Sequence, residues 1–480
     1  MPAKGDGPYN VVVIGAGTAG LVTAAGTAGL GGRVALIEKH RMGGDCLNTG
    51  CVPSKALIAS ARAAALARDG RRLGLQDREP AFRFEDVMER VRERRARIAP
   101  HDSQERFESL GVDVFRAAAR FVSPREVEAG GQRLRASHFV IATGSRASVP
   151  AIEGLAEARP FTNETIFDEL RERPARMAVV GGGPIGCELG QAFSRLGVRV
   201  TILEALPRLL DKEDEDAAAA VRAQLEAEGV RVSTGARLRR ATRLGAVTRL
   251  ELEGGEALEA EAVLVAAGRR ANVEGLGLEE AGVAYDASGV KVDAQLRTSQ
   301  PHIYAAGDVT GGRQFTHLAD HHARTVVRNV LVPLVKASVD TTVLPWCTYT
   351  SPEVARVGLS EAEARQLGVP HEVWVQPMAE VDRAVLESDE RGFAKVLTAA
   401  GSDKILGVTL VAERAGDLIH EFAVAMKAGL GLKGLSSTIH AYPTWAEVAR
   451  KSGDRFQKSR LTPRAKRLFA WLYRRARAAS

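Results

Sequence analysis

A glycine turn that occurs twice constrains this chain more than any other feature. The first copy reads VVVIGAGTAG…RVALIEK, with Gly15, Gly17, Gly20 and Glu38; the second reads MAVVGGGPIG…RVTILEA, with Gly181, Gly183, Gly186 and Glu204. In both, the acid follows the first glycine by 23 residues. Each copy reads as strand, glycine turn, helix, strand, acid. The first glycine permits the tight turn, the second lets the backbone approach a pyrophosphate, and the third lets the helix pack close to the strand. The helix N-terminus then faces the phosphates with unpaired N–H groups and partial positive charge. The acid accepts hydrogen bonds from an adenosine ribose. One such turn is weak evidence. Two in strand context, each with its acid at one offset, specify two dinucleotide sites, which suggests a flavin plus a nicotinamide.

The bulk properties agree with a large cofactor enzyme. At 480 residues the chain has room for about three domains. Only four cysteines are present, Cys46, Cys51, Cys187 and Cys347, which excludes a disulfide-stapled secreted scaffold. The N-terminal residues MPAKGDGPYN hold no secretory h-region. Residues 11–30 carry no charge, but five glycines break the run, so a strand, turn and helix fit better than a membrane span. The net charge of +7 is local: residues 451–480 hold ten Lys/Arg and one Asp, leaving the rest at −2. The main body is therefore not expected to bind nucleic acid.

Other landmarks divide the chain. Residues 61–68 and 85–99 read as helices. FVIATGS (139–145) and VLVAAGRRAN (263–272) are strands running into glycine turns at Gly144 and Gly268, and IYAAGD (303–308) is a buried strand ending in an acid. From about residue 341, short strands (WCTYT, FAKVLT, ILGVTLV) alternate with helices (EAEARQL, DLIHEFAVAMKAG) and read as a separate α+β domain. The expected organisation is α/β with two Rossmann-like nucleotide-binding domains and a C-terminal α+β domain. Its boundaries are an FAD-binding part at 1–147, an NAD(P)-binding domain at 148–270, a second FAD-binding part at 271–338, a dimerisation domain at 339–455 and a basic tail at 456–480.

GGDCLNTGCVPSKALI (43–58) is the chemical centre. In a regular helix, residues five apart diverge by about 140°, whereas a disulfide needs Cα atoms within about 7 Å. For the two sulfurs to meet, the segment must be a distorted turn opening a helix, which Gly50 and Pro53 permit. That position lowers a thiol pKa through the helix dipole. A zinc site would need a second Cys pair, which the sequence lacks, so no metal site is expected.

With these residues the chain resembles the class I flavoprotein disulfide reductases, the family of dihydrolipoamide dehydrogenase, glutathione reductase and mercuric reductase. The resemblance covers about residues 8–450 and includes GAGTAG, GGDCLNTGCVPSK, ATGS, GGGPIGCE, AAGRRAN, AAGD and DRAVLESDERGFAKV. It implies a redox-active disulfide Cys46–Cys51, with Cys51 facing the flavin and Cys46 attacking the acceptor. It implies an ion pair of Lys55 with Glu188 beside the flavin and the nicotinamide. FAD contacts are implied at Gly15, Gly17, Gly20, Glu38, Lys55, Gly144 and Asp308. Nicotinamide-nucleotide contacts are implied at Gly181, Gly183, Gly186, Glu204 and Gly268. Cys187 and Cys347 read as packed thiols. Glu204 favours NADH over NADPH, because a carboxylate repels a 2′-phosphate; Arg208 nearby softens that preference. A homodimer is implied, since the family completes each site from two chains.

The sequence also departs from the family. Where its relatives carry HPTxxE, this chain has HAYPTWAEVAR: Tyr442 takes the place of the acid–base His, Glu447 holds the matching acid position, and His440 falls two residues early. A tyrosine, with a reference pKa of about 10, is a poor base at neutral pH. Mercuric reductase also has Tyr there, but ends in a vicinal Cys pair, and here no cysteine follows Cys347. Asp45 and Thr49 differ from the commonest family text, and Pro184 replaces a residue often aromatic or aliphatic.

In the tail, Thr462-Pro463 starts a helix whose apolar arc (Ala465, Leu468, Phe469, Leu472, Tyr473, Ala476) opposes a cationic one (Arg464, Lys466, Arg467, Arg474, Arg475, Arg477). Two readings stay open for residues 461–478: contact with an anionic membrane, or a helix docked on its own enzyme or solvated. The function expected is a cytoplasmic NADH-dependent FAD oxidoreductase passing electrons through the Cys pair to a small-molecule acceptor: a disulfide, a thiophilic metal ion or another species. The alternatives are a membrane-surface NADH:quinone-type dehydrogenase and a slow redox-sensing protein.

Overall fold

A computed structural model describes residues 7–332 and 334–478; the extreme N-terminus of the expected FAD domain and the last two residues of the tail lie outside the described residues. The chain forms two compact units, one of residues 1–65, 80–207 and 230–340, the other of residues 66–79, 208–229 and 341–480.

The first unit is built on two parallel sheets, one for each copy of the repeat. In the larger, Val112–Phe115, Val34–Ile37, Tyr9–Ile14, Gln132–Ile141 and Ile303–Ala305 run parallel, and Gln132–Ile141 continues into an antiparallel meander with Glu126–Ala129 and Ala119–Ser123. The run VVVI is continuous because both faces are covered. Val11 and Val13 pack with the helix Thr18–Gly29 on one side, while Val12 and Ile14 pack with Phe121 and Phe139 on the other. The smaller sheet orders Arg231–Thr234, Arg199–Glu204, Arg176–Val180 and Ala262–Val265, all parallel. The strands at 139–141, 263–265 and 303–305 fall where the sequence patterns put them, and Phe84–Ile98 supplies the second expected helix.

In the two turns the glycines do what the spacing requires. Gly15 and Gly181 adopt φ of +105° and +112°, a region closed to most side chains. A Cβ on Gly20 would sit 1.8 Å from the Gly15 carbonyl oxygen, and one on Gly186 would sit 2.0 Å from that of Gly181. The third glycine therefore sets how closely the helix approaches the turn.

The second unit has a five-stranded antiparallel sheet, in the order Pro345–Thr348, Glu353–Gly358, Ile405–Ala412, Phe393–Ala399, His371–Pro377. The helices Ala415–Lys427 and Glu447–Ser459 bury Ile419, Phe422, Val448 and Phe456 in its core. A polar knot ties the segment 208–229 into this unit. The buried Lys395 ammonium lies 2.5 Å from Asp216, 3.6 Å from the buried Asp214 and 3.5 Å from Glu361. Burial opposes its charge, but the three carboxylates outweigh burial and hold the Lys395 pKa above the ordinary lysine value. Asp214 also accepts from Thr409 Oγ1 at 2.8 Å.

Removing one partner of a buried ion cluster leaves the others uncompensated. Lys395→Met should therefore destabilise the second unit by about 3 kcal/mol, the low end for a broken buried pair because Asp214 keeps its other hydrogen bonds. Urea unfolding followed by circular dichroism checks this; a loss under about 1 kcal/mol would mean the cluster is solvated.

Candidate active site

The redox segment is positioned by a close backbone approach. At Gly44 (φ +58°) a Cβ would lie 2.5 Å from the Gly17 Cα, so only glycine lets the segment pass against the first glycine turn. From there a short helix, Gly44–Asn48, carries Cys46, and a second helix begins at Cys51 and runs to Arg68. The break between them is held by the Thr49 and Gly50 N–H groups, which both donate to the Asp45 carbonyl, at 2.9 and 2.7 Å. Two helix ends thus meet around the sulfurs, as the spacing of the cysteines demanded.

Both cysteines are thiols in this structure, Cys46 half-buried and Cys51 exposed. They are hydrogen-bonded to each other, and the two are not equivalent. The Cys46 hydrogen bond lowers the Cys51 pKa to about 6, with help from the Thr316 hydroxyl and the positive charge of Lys55. Thr316 Oγ1 lies 3.5 Å from the Cys51 sulfur. The same bond, together with burial, drives Cys46 above the ordinary thiol range, so Cys51 is the more acidic of the two thiols. Cys51 opens its helix, where the macrodipole favours an anion.

Four residues further on, Lys55 pairs with Glu188 at 2.8 Å. Glu188 is buried on the helix Pro184–Arg195 that follows the second glycine turn. The pair joins the redox helix of the first copy to the dinucleotide helix of the second.

The two acids are held alike. Glu38 accepts from the N–H of Ala16 and of His40, each at 2.7 Å. Glu204 accepts from Gly182 at 2.6 Å and from Leu206 at 2.7 Å. One carboxylate oxygen thus fixes each turn and the other its own strand end, and each oxygen keeps a lone pair for a further donor. A Cβ on Gly183 would meet no atom within 4 Å, and one on Gly17 only the Gly44 Cα at 3.8 Å. That open space over a helix N-terminus lets an anionic group approach the backbone N–H groups. Gly144 and Gly268 both have positive φ, at +68° and +129°. The Arg208 guanidinium donates to the Asp211 carbonyl at 2.6 Å.

Asp308 belongs to a network the sequence did not reveal. Ser145 Oγ donates to it at 2.7 Å, Arg269 Nε donates to the same Ser145 Oγ at 2.9 Å, and Arg269 Nη2 pairs with Asp45 at 2.9 Å. Asp45 further accepts from Thr49 Oγ1 at 2.6 Å and from Asn163 at 3.2 Å. Burial pushes the Asp308 carboxyl above its usual range and Asp45 adds to the push, while Ser145 and Arg269 pull it back. Ser145 and Arg269 stand inside the ATGS and AAGRRAN motifs, so a signal existed; Thr316 and Asn163 carried none. Asp45 and Thr49, the two departures from the family text, are bonded to each other.

Tyr442, Glu447 and His440 lie in the second unit. Tyr442 is exposed and donates to Asp382 at 2.9 Å; that bond and the Asp382 charge raise its pKa above the ordinary tyrosine value. Glu447 is 2% exposed, with Oε1 paired to Arg450 and Oε2 lacking a hydrogen-bond partner among the described residues. His440 is engaged with Glu421 at 2.7 Å and with the Thr438 carbonyl at 2.9 Å. Cys187 is buried and donates to the Gly182 carbonyl, and Cys347 donates to the Thr348 carbonyl. Burial raises the Cys187 thiol.

A chain with two dinucleotide cradles in one unit and a polarised thiol pair beside a lysine–glutamate bridge is built for two-electron transfer. Comparison with known proteins agrees. The pyridine nucleotide-disulphide oxidoreductase family matches residues 9–323, and its dimerisation domain matches residues 344–452; the chain belongs to that family. It is 34% identical to mercuric reductase of Staphylococcus aureus over 457 residues, covering 94% of this chain and 83% of the relative. It is 35% identical to dihydrolipoyl dehydrogenase of Chlamydia muridarum, covering 92% and 95%. Among solved structures it resembles the HOCl-induced flavoprotein disulfide reductase RclA of Escherichia coli, with a TM-score of 0.84, 29% identity and coverage of 94% and 99%. The chain is thus a flavoprotein disulfide reductase by family, which implies FAD and NAD(P)H, and the dimerisation domain indicates a homodimer. The two cradles fit two dinucleotides.

Arg269 is the cation between Asp45 and Asp308, so Arg269→Met should raise Asp308 further. A carboxyl raised in the fold disfavours its ionised form, and the resulting loss of stability is full above the folded pKa and fades as pH falls toward the unfolded value of about 3.9. Thermal melts should show a deficit of several degrees at about pH 8 that narrows at about pH 5. An equal deficit at both would assign Arg269 to packing.

Proposed function

We propose that this chain takes electrons from NADH at the Glu204 cradle and delivers them through Cys46–Cys51 to a thiophilic metal ion, or from the flavin to a quinone, in preference to lipoamide. In this reading, residues 1–147 and 271–338 hold FAD through Gly15, Gly17, Gly20, Glu38, Gly144 and Asp308. Residues 148–270 hold the nicotinamide nucleotide through Gly181, Gly183, Gly186, Glu204 and Gly268. Residues 339–455 dimerise, and the protein works in the cytoplasm. The observation that carries the reading is Tyr442, which stands in the place of the acid–base histidine and has its hydroxyl bonded to Asp382.

When bound, FAD relays two electrons from the nicotinamide to the disulfide. The chain's own groups do the rest. Lys55 is held by Glu188 and keeps a positive charge near Cys51, which favours the thiolate over the thiol. Cys46, protonated and hydrogen-bonded to Cys51, is the sulfur left to meet the acceptor. With a disulfide acceptor, Cys46 would lose its proton and attack one acceptor sulfur, expelling the other as thiolate. Cys51 would then attack Cys46, reforming the protein disulfide and releasing the second thiolate; both leaving groups need protons. A histidine cycles such a proton near neutrality. Tyr442, with its pKa raised by Asp382, does not. A metal ion or a quinone does not require that relay at the same point. Glu204 supports NADH, since its carboxylate would repel a 2′-phosphate; Arg208 donates to the Asp211 carbonyl.

Two experiments test this. Reduction by NADH without oxygen should give the long-wavelength absorption of a thiolate lying against an oxidised flavin, and that absorption should fade as pH falls through about 6, where Cys51 takes up a proton. Cys51→Ser should abolish it and Cys46→Ser should display it without reductant. A Cys46→Ser protein with an ordinary yellow flavin spectrum would reverse the two assignments.

The second is an acceptor panel. Losing a positioned acid–base group costs on the order of 10²–10⁴ in rate, so Tyr442→His should raise lipoamide turnover at least about 10²-fold relative to Hg(II), Cu(II) or quinone turnover. The buried Glu447 Oε2 is available to orient the new imidazole. Wild-type lipoamide turnover of about 10²–10³ per second would show that another base serves and would end the argument.

A further inference from the structure

The helix Pro463–Ala478 has no part in the chemistry above. Thr462 caps it, accepting the Ala465 N–H at 3.2 Å, and none of its residues is buried. Leu468 is 55% exposed, Phe469 48%, Leu472 46% and Tyr473 73%. Nothing among the described residues of the chain covers this row, so docking on its own chain does not account for the helix.

Charge decides what covers that row. At 100° per residue, Leu468, Leu472, Ala465, Ala476, Phe469 and Tyr473 fill one continuous arc of about 140°. Lys466 and Arg477 border it on one side, Arg475 and Arg464 on the other. Residues 461–478 contain no acid, so the helix does not neutralise its own cations. Arg475 stacks on the Trp471 ring at 4.6 Å, placing an indole among the cations beside the apolar arc. Pairing this face with the same face of a second copy would set like charges along both edges of the seam. A nucleic acid would satisfy the cations and leave the apolar arc wet. An anionic lipid surface satisfies both, since headgroups meet the flanking cations while the apolar arc enters the acyl boundary. No helix among the described residues is long and apolar enough to cross a membrane, so contact through this helix would lie in the plane of the surface.

We propose that Pro463–Ala478 docks this enzyme on an anionic membrane surface, with Phe469 and Leu472 inserted and the arginines on the headgroups. The helix contacts neither thiol nor cradle residue in sequence or in the interactions described, so binding and turnover are separable.

The test is co-sedimentation of the intact FAD-loaded protein with vesicles of phosphatidylcholine alone and of phosphatidylcholine with phosphatidylglycerol. Wild type should pellet with the phosphatidylglycerol vesicles alone, and high salt should release it. Arg474→Glu with Arg475→Glu, and separately Phe469→Glu, should each weaken binding at least about tenfold while NADH oxidation with a soluble acceptor stays at the wild-type rate. Wild type remaining in the supernatant of both vesicles overturns the proposal, as does undiminished binding by the variants. A variant that falls apart to a monomer in sedimentation velocity overturns it too, and reassigns the helix to the contact between copies. Because soluble-acceptor activity is read in the same samples, failure here is distinct from failure of the electron route.

Discussion

The contact on which the candidate site depends is the ion pair of Lys55 with Glu188. The two copies of the glycine turn lie on separate sheets, each with its own helix and acid. Lys55 and Glu188 bridge them at 2.8 Å, with Glu188 buried and Lys55 part-exposed. The bridge constrains both partners. At the buried Glu188 an unpaired carboxylate would be costly, and Lys55 is kept on the side of its helix that faces Cys51. The asymmetry of the thiols draws on it: beside the bond between the two thiols, the Thr316 hydroxyl and the Lys55 cation both make Cys51 the more acidic.

Much of this was legible in the sequence, because the relevant constraints are short-range. A glycine that must adopt positive φ, and one whose Cβ would strike the turn beneath it, leave no choice of residue, so both copies of the turn could be located by type and spacing alone. The break between Gly44–Asn48 and Cys51–Arg68 could be anticipated from the five-residue separation of the cysteines. The Asp45–Arg269–Ser145–Asp308 network could not. It joins residues more than a hundred positions apart, and polar side chains have no periodicity that reveals a partner. Thr316 is of the same kind, an ordinary helix residue whose contact with Cys51 exists only once the chain is folded. Asp45 and Thr49 looked like unrelated departures until the structure bonded them.

Tyr442 shows how one substitution redistributes a site. Its hydroxyl turns to Asp382, and the matching acid Glu447 is left with a buried oxygen that nothing satisfies among the described residues. Natural proteins seldom keep such an atom without reason.

The Lys395 knot bears on how such a protein can be inherited. Residues 208–229 lie, in sequence, between strands of the smaller parallel sheet, yet they pack with the C-terminal sheet through Asp214, Asp216 and Lys395. A recombination event that exchanged the second nucleotide module for a homologous one along its sequence borders would carry those aspartates away and strand a buried lysine. Modules of this architecture can therefore be traded only together with their distant counter-charges. The knot acts as a genetic linkage between stretches of chain well over a hundred residues apart, and the two are expected to diverge in step.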